Sequence, residues 1–338
     1  MRKAILTFVV VLAAAAAPAA FAQARIDKPV RIVVASPPNS TADLIARALG
    51  EHLGKPLGQP VTVEHRPGPG SATALDALLK SAADGSTLLL ASDSQLIPHL
   101  RSGPAAASLE KAQAVAFLGA THFALAVDPS VSARTLKALF EMAKGKGLDI
   151  AATPDLQAAA IIQRLGSLSR TKLQRVPHKG PAAALGDVVS GKVQAAVVQA
   201  ASLAPHVKSG KIRALAVFSG SRLSALPEVP TAMEQGVPVL VFNGFGILAP
   251  AGTSKQVVAA LESTIASALE RGEVREILGA VRVDPMFADG GAYSMYLKRL
   301  RPKAVAGMEE PAANPCDQCN SQICRKPGED CRVCCTRG

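Results

Sequence analysis

VRIVVASPPNSTAD, residues 30–43, is the stretch that decides the predicted fold of this chain. Its first five residues are mostly apolar and predict a β-strand, and the apolar spacing of residues 44–53 predicts a helix. The segment between them is a turn, because two prolines prevent the helix from beginning early and Asn39, Ser40 and Thr41 all favour a helix N-cap. A strand, a polar turn and a helix in this order indicate one β–α unit of an α/β sheet.

This turn has two interpretations. A helix N-terminus presents unpaired N–H groups and a partial positive charge, which suit a carboxylate or another small anion. In an open α/β sheet, ligands bind beyond the carboxyl ends of the strands, where this turn lies. The simpler interpretation is that a Ser or Thr caps the helix and binds nothing. For a single turn the simpler interpretation is favoured, and only matching turns elsewhere make a ligand site the better one.

Matching turns do occur later in the chain. Three further apolar strands are followed by polar side chains: Ser92, Asp93 and Ser94 after the first, Thr153 after the second, and Gln199 after the third. Residues 123–127 are predicted to form another strand. Because repeated β–α units build parallel sheets whose carboxyl ends share one edge, we expect the polar turns to face the same edge.

Residues 1–22 have the pattern of a secretory signal. Arg2 and Lys3 form its basic start, an apolar core follows, and residues 20–22 have the small-x-small pattern of a cleavage site. Cleavage is expected near Ala22/Gln23, which gives an exported, soluble protein of a bacterial periplasm.

The composition argues against nucleic acid as a partner. The formal net charge is +11, but the basic residues are scattered, Trp is absent and there are only two Tyr. Proteins that bind nucleic acid usually cluster Lys and Arg and interleave aromatic side chains for stacking. The charge is therefore interpreted as a general surface property with a modest attraction for anions.

No motif of covalent or metal catalysis is present in the sequence. The serines lack a GxSxG elbow, there is no HExxH, and none of the six His forms a pair with metal-ligand spacing. No cofactor is expected. A hydrolase or transferase that uses a non-local arrangement of residues is the rival from another class.

The tail at residues 311–338 contains all six cysteines. Two C-x-x-C pairs, Cys316/Cys319 and Cys331/Cys334, have the spacing of soft metal ligands for zinc or copper. An exported location instead favours disulfides, and a tail with so few large apolar residues needs cross-links in order to fold. Disulfides or a disordered appendage come first, a metal or redox site second, and an appended sequence without a selected role is a third alternative.

Six segments carry a resemblance to a known family: EHRPGPG at 64–70, VPHKG at 176–180, ALGDVVSGKV at 184–193, PHVKSGKIRALAV at 205–217, LPEVPT at 226–231 and GILAPAGT at 246–253. Their order and spacing resemble those of the tripartite tricarboxylate transporter receptors, also called Bug-type extracytoplasmic solute receptors. The resemblance runs from about Lys28 to Met308. Each motif alone is weak, but the set is highly specific.

The resemblance implies a two-lobed α/β binding protein of the Venus-flytrap type, in which each lobe is a mainly parallel sheet flanked by helices. Lobe one is expected at about 23–122 plus 245–310, and lobe two at about 123–244. Members of the family capture small carboxylates between the lobes and present them to a membrane permease. The resemblance thus implies a monomeric, non-catalytic receptor with permease subunits as partners. Signalling to a sensor kinase is an alternative output.

The resemblance also implies which residues bind the ligand. The first ligand loop of the family, PPGGSTD, falls on residues 37–43, and its predicted contacts are Pro38, Asn39, Ser40, Thr41 and Asp43. Asn39 and Ser40 stand where the family has glycines. The second loop falls on Ser92, Asp93 and Ser94.

The ligand turns of lobe two depart from the family pattern. Pro154 and Asp155 lie in a turn that is usually rich in Gly, Ser, Thr and His, and an Asp–Asn pair of the family falls on Val198 and Gln199. Thr153 and Gln199 complete the predicted site, and the identity of the ligand stays open.

Overall fold

The computed structural model describes residues 26–68, 71–100, 108–153 and 155–305. The predicted signal peptide at residues 1–22 and the cysteine-rich tail at 311–338, with Cys316, Cys319, Cys331 and Cys334, lie outside the described residues. The predictions made for these two segments therefore stay predictions.

Strands and helices alternate along most of the described chain. The strands are β1 (Val30–Val34), β2 (Val61–His65), β3 (Thr87–Ser92), β4 (Ala112–Val127), β5 (Leu148–Ala152), β6 (Leu173–Pro177), β7 (Ala195–Gln199), β8 (Arg213–Val217), β9 (Phe242–Pro250) and β10 (Asp284–Asp289). The helices are α1 (Thr41–Leu57), α2 (Ala72–Leu79), α3 (Asp93–Leu100), α4 (Leu136–Ala143), α5 (Leu156–Ser169), α6 (Pro181–Val189), α7 (Ala200–Lys208), α8 (Lys255–Leu269), α9 (Gly272–Ala280) and α10 (Gly290–Val305).

The strands follow the order β2-β1-β3-β9-β4-β7-β5-β6, with β8 and β10 also paired to β4. β1 runs parallel to β2 and β3, and β5 runs parallel to β6 and β7. The central strand β4 is antiparallel to all of its partners. It pairs with β9 through His122 and with β7 from Phe123 onward. One strand thus joins two sheets, and the predicted two-lobed α/β fold is confirmed.

Each sheet is covered by helices on both faces. In lobe one, Ile45 and Leu49 of α1 pack on the face that carries Ile32, and Leu75 of α2 packs on the face that carries Val33. Lobe two repeats this arrangement, with Ile161 and Leu165 of α5 against Leu125 and Val197, and with Leu185 of α6 among the residues of the opposite face. Each large aliphatic side chain buried in this way stabilises the fold by about 1.5–3 kcal/mol.

The predicted strand at residues 123–127 is confirmed, but it is the second half of a longer strand, β4, which begins at Ala112. The first half, residues 112–122, contains register shifts between Ala114 and Ala116 and between Phe117 and Gly119. Each bulge adds a residue to one strand and breaks the regular two-residue alternation. The sequence of the first half therefore does not show the periodicity of a strand.

Two glycines on β9 allow aromatic side chains to pack directly against this strand. A Cβ atom at Gly244 would overlap the ring of Phe117, and a Cβ atom at Gly246 would overlap the ring of Tyr293. Phe117 and Tyr293 are fully buried, and their ring centroids lie 5.7 Å apart. The close approach of these rings positions β9 at the centre of lobe one.

We expect Gly246→Ala to destabilise the protein by roughly 1–3 kcal/mol, because the new methyl group overpacks a filled core. Gly186→Ala is the matched control, since Gly186 lies in α6 with no atom near its virtual Cβ, and replacing a helical Gly by Ala is neutral or stabilising. Urea unfolding curves of both variants measure the difference. Equal stabilities of the two variants would contradict the packing described for β9.

Candidate functional site

The first predicted ligand loop leads from β1 into α1. Ser40 is the N-cap of α1, with φ −77° and ψ 163°, and its hydroxyl accepts a hydrogen bond from the backbone N–H of Asp43 at 3.3 Å. Asn39 takes the left-handed conformation with φ 63°. Asn tolerates this region better than most residues do. Of the two positions where the family has glycines, 39 and 40, only position 39 has a positive φ, and it is occupied by Asn. Pro38 and Asn39 are exposed, and Ser40 and Thr41 are half-buried.

Asp43 holds this loop in place. Its carboxylate is fully buried and accepts hydrogen bonds from the backbone N–H of Asn39 at 2.7 Å, from Arg47 at 2.9 Å and from His65 at 2.8 Å. Burial opposes ionisation, but these hydrogen bonds together lower the pKa of Asp43 below its ordinary value. Both carboxylate oxygens are engaged inside the protein, and a direct ligand contact of Asp43 stays a prediction.

The second predicted loop joins the first through Gln95. Its side-chain oxygen accepts from the backbone N–H of Ser92 at 2.9 Å, as in the capping box of a Ser-x-x-Gln sequence, and its Nε2 donates to the Ser36 hydroxyl at 2.9 Å. The hydroxyls of Ser92 and Ser94 lie 2.9 Å apart. The ends of β1 and β3 are thereby tied together.

Asp93, the middle residue of the second loop, is buried in the core of lobe one. Its Oδ2 accepts hydrogen bonds from the backbone N–H of Gly244 at 2.6 Å and from the Tyr296 hydroxyl at 2.5 Å. Its Oδ1 is buried and has no hydrogen-bond partner among the described residues. Burial raises the pKa of Asp93 to about 6, although the two hydrogen bonds lower it. Asp93 fixes α3 to β9 and α10, and a ligand contact of its side chain stays a prediction.

Asn243 connects the two lobes at the beginning of β9. Its Oδ1 accepts hydrogen bonds from the backbone N–H of Ser94 in lobe one, at 3.0 Å, and from Nε2 of Gln157 in lobe two, at 3.1 Å. Asn243 lies opposite Thr121 of β4, two residues before β4 begins its pairing with β7. A second bridge is formed by Arg282, after α9, which donates to the carbonyl oxygen of Ala201 in α7.

The predicted residues of lobe two lie at the same junction. Thr153 directly follows β5 and is buried, and its hydroxyl donates to Asp155 at 2.5 Å. Gln199 ends β7, lies opposite Phe123 of β4 and is half-buried. Its side chain makes no capping hydrogen bond to α7.

The structure therefore brings the ends of β1 and β3 together through direct hydrogen bonds and joins them to α5 through Asn243. Gln199 reaches the same place through its pairing with β4. The predicted set missed Ser36, Gln95, Thr121, Gln157 and Asn243. The sequence contained a signal for two of these residues. Asn243 is a lone amide at the start of an apolar strand, and Gln157 follows the turn of lobe two that departs from the family pattern.

A groove of about 430 Å³ lies elsewhere in lobe two. It is lined by residues that include Met142, Lys146, Leu148, Lys172 and Gln194. Leu148 begins β5, and Lys172 and Gln194 precede β6 and β7, so this groove lies at the amino ends of the strands. It is separate from the polar residues at the carboxyl ends.

Comparisons with known proteins identify the family. The family model described as the tripartite tricarboxylate transporter family receptor matches residues 45–302. The chain belongs to this receptor family. Protein BugT of Bordetella pertussis is 32% identical over 272 residues, which cover 77% of this chain and 82% of BugT. The resemblance stated from the sequence motifs is thereby confirmed.

Solved structures show the same fold for this receptor. A TctC solute-binding protein from Polaromonas superposes with a TM-score of 0.77 at 20% identity, covering 83% of this chain and 98% of its own. MatC from Rhodopseudomonas palustris, solved with bound malate, has a TM-score of 0.60 at 23% identity and covers 84% of this chain and 99% of its own. The receptor therefore has the fold of the periplasmic solute-binding proteins.

Two further observations concern the described part of the receptor. Its helices include none that combines the length and the apolar character needed to cross a membrane. Its described His, Cys, Asp and Glu residues form no group of three or more suited to a metal ion.

We expect the pH dependence of stability to report on Asp93. Because the pKa of Asp93 is raised in the folded state, its contribution is present below the ordinary pKa near 4 and is lost as the pH rises through about 6. Relative to Asp93→Asn, the wild type should lose roughly 2–3 kcal/mol between pH 4 and pH 7. Urea unfolding at several pH values measures this difference. Burial lowers the pKa of His122 to about 4, but His122 is present in both proteins and therefore does not contribute to the difference between them.

The Asn side chain keeps an oxygen for Gly244 and Tyr296, so the hydrogen bonds to Oδ2 persist in the variant. Parallel curves of stability against pH for the two proteins would show that the pKa of Asp93 is not raised in the folded state.

Proposed function

We propose that this protein is a periplasmic receptor that captures a small organic carboxylate between its two lobes and delivers it to the membrane subunits of a tripartite transporter. The observation that carries the proposal is the convergence of polar turns from both lobes on the point where β4 passes from one sheet to the other. Membership of a family of solute-binding receptors supports binding without catalysis.

The electrostatics of this junction favour an anion. Helices α1, α3, α5 and α7 are the elements that follow β1, β3, β5 and β7 along the chain, so their N-termini lie on the side of the carboxyl ends of these strands. Helix N-termini carry a partial positive charge and unpaired N–H groups. The carboxylate of Asp43, which lies nearby, is withdrawn from the ligand because it is paired with Arg47 and His65. A small carboxylate suits this combination better than a cation does.

The connections between the lobes suit a protein that closes around its ligand. β4 and β9 run next to each other between the lobes, and Asn243 contacts a loop of each lobe. A ligand that contacts both lobes stabilises the closed arrangement by its differential affinity. The malate bound to MatC, a protein of the same fold, supports a carboxylate of this size.

The first test is a thermal-shift screen of the mature protein with mono-, di- and tricarboxylates, followed by titration calorimetry of each acid that raises the melting temperature. A ligand at about 100 times its Kd stabilises the folded state by about 2.7 kcal/mol, which raises the melting temperature by several degrees. Failure of all of these acids to stabilise the protein would overturn the proposal.

Thr41→Ala tests the position of the site. Thr41 begins α1 and is half-buried, and we expect its loss to weaken binding of the acid found in the screen about 3- to 10-fold, the value of one hydrogen bond. Thr264→Ala in α8 is the matched control, because its hydroxyl bonds to the carbonyl of Ala260 within its own helix. Calorimetry with both variants measures the change, and unchanged affinity of Thr41→Ala would place the ligand elsewhere.

A further inference from the structure

The orientation of two amide side chains at the junction follows from a single backbone group. Oδ1 of Asn243 lies 3.0 Å from the backbone N–H of Ser94, which can only donate, so the oxygen of Asn243 must face it. The same oxygen lies 3.1 Å from Gln157, which must therefore donate through Nε2. The assignment of amide nitrogen and oxygen is thus fixed by the hydrogen-bond network for both residues.

This orientation leaves the side-chain oxygen of Gln157 without a donor. Gln157 is 1% exposed, and its Oε1 has no hydrogen-bond partner among the described residues. Buried polar atoms in folded proteins almost always have a partner, so an unpaired acceptor at a functional junction indicates a group that arrives from outside the chain. The group that Oε1 requires is a hydrogen-bond donor.

Thr121 presents a second buried polar atom nearby. Its hydroxyl has no hydrogen-bond partner in the described part of the chain, and the residue is 5% exposed. Thr121 and Asn243 are directly opposed across the β4–β9 ladder, so their side chains lie on the same face with Cβ atoms about 5 Å apart. Asn243 also bonds to Gln157, so Thr121 and Gln157 are both neighbours of the Asn243 side chain.

We propose that Gln157 and Thr121 determine ligand specificity by binding a hydrogen-bond donor, a hydroxyl or an ammonium group, that the ligand carries beside its carboxylate. This inference rests on the proposed function and narrows its substrate class to hydroxy or amino acids. A carboxylate oxygen has no proton to donate and is repelled by the oxygen of Gln157. The helix N-termini bind the carboxylate, and the amide oxygen distinguishes substituted acids from unsubstituted ones.

The experiment compares acids that differ by one substituent. The pairs are lactate and propionate, malate and succinate, and citrate and tricarballylate, and aspartate against succinate separates an ammonium from a hydroxyl. By calorimetry, we expect the substituted member of each binding pair to bind about 10-fold more tightly to the wild type, the value of one buried hydrogen bond.

Gln157→Met keeps the length of the side chain and removes its oxygen, and we expect it to bring this ratio close to one. Gln163→Met is the matched control on the exposed side of the same helix and should leave the ratio unchanged. Thr121→Val, a change of similar shape, is expected to reduce the ratio as well and serves if Gln157→Met fails to fold. A purely structural role of Gln157 would change both affinities of a pair equally and leave their ratio intact.

The outcomes separate the two proposals. If the acids bind but the wild type does not distinguish the members of a pair, or if Gln157→Met and Thr121→Val retain the wild-type ratio, the specificity inference is overturned while the receptor function stands. If no acid of any pair or of the wider screen binds, the carboxylate-receptor function is overturned and the inference with it.

Discussion

The pairing of β4 with strands from both sheets is the constraint on which the rest of the structure depends. A strand inside a sheet must satisfy its backbone N–H and C=O groups on both sides, and β4 does so with β9 and β10 in its first half and with β7 and β8 in its second. The point where the partners change is fixed at His122 and Phe123. Gln199 at the carboxyl end of β7 and Val217 at the carboxyl end of β8, which lie opposite Phe123 and Ala124, are thereby brought to the junction.

The polar residues at this junction divide into two groups with different roles. Asp43 and Asp93 are buried and bond to several groups of the protein, so they hold the two predicted ligand loops of lobe one in shape. Asn243 bonds to one group from each lobe and links the loops across the junction. A binding site built on such supports keeps its donors oriented before the ligand arrives, which lowers the cost of ordering them on binding.

Asn39 and Ser40 show how a family loop is kept with different residues. The left-handed φ of Asn39 preserves the turn that a glycine would allow, and the extended φ of Ser40 needs no glycine at all. The loop therefore forms its turn without glycine, and Ser40 supplies a capping hydroxyl. The turn of lobe two that departs from the family pattern differs in its hydrogen bonds. The Thr153 hydroxyl bonds to Asp155, and no described group pairs with the side-chain oxygen of Gln157.

The sequence by itself determined the β–α units, the two-lobed fold and the family, because apolar periodicity, turn residues and the six motifs are local properties. It also placed Ser92, Ser94, Thr153 and Gln199 at strand ends. Only the tertiary structure decided that β4 is one continuous strand, that Asp43 and Asp93 are buried supports of the loops, and that Thr121, Gln157 and Asn243 lie together at the junction. The physical reason is that hydrogen bonds such as that between Ser94 and Asn243 join residues far apart in the chain, and no local pattern records such a pairing.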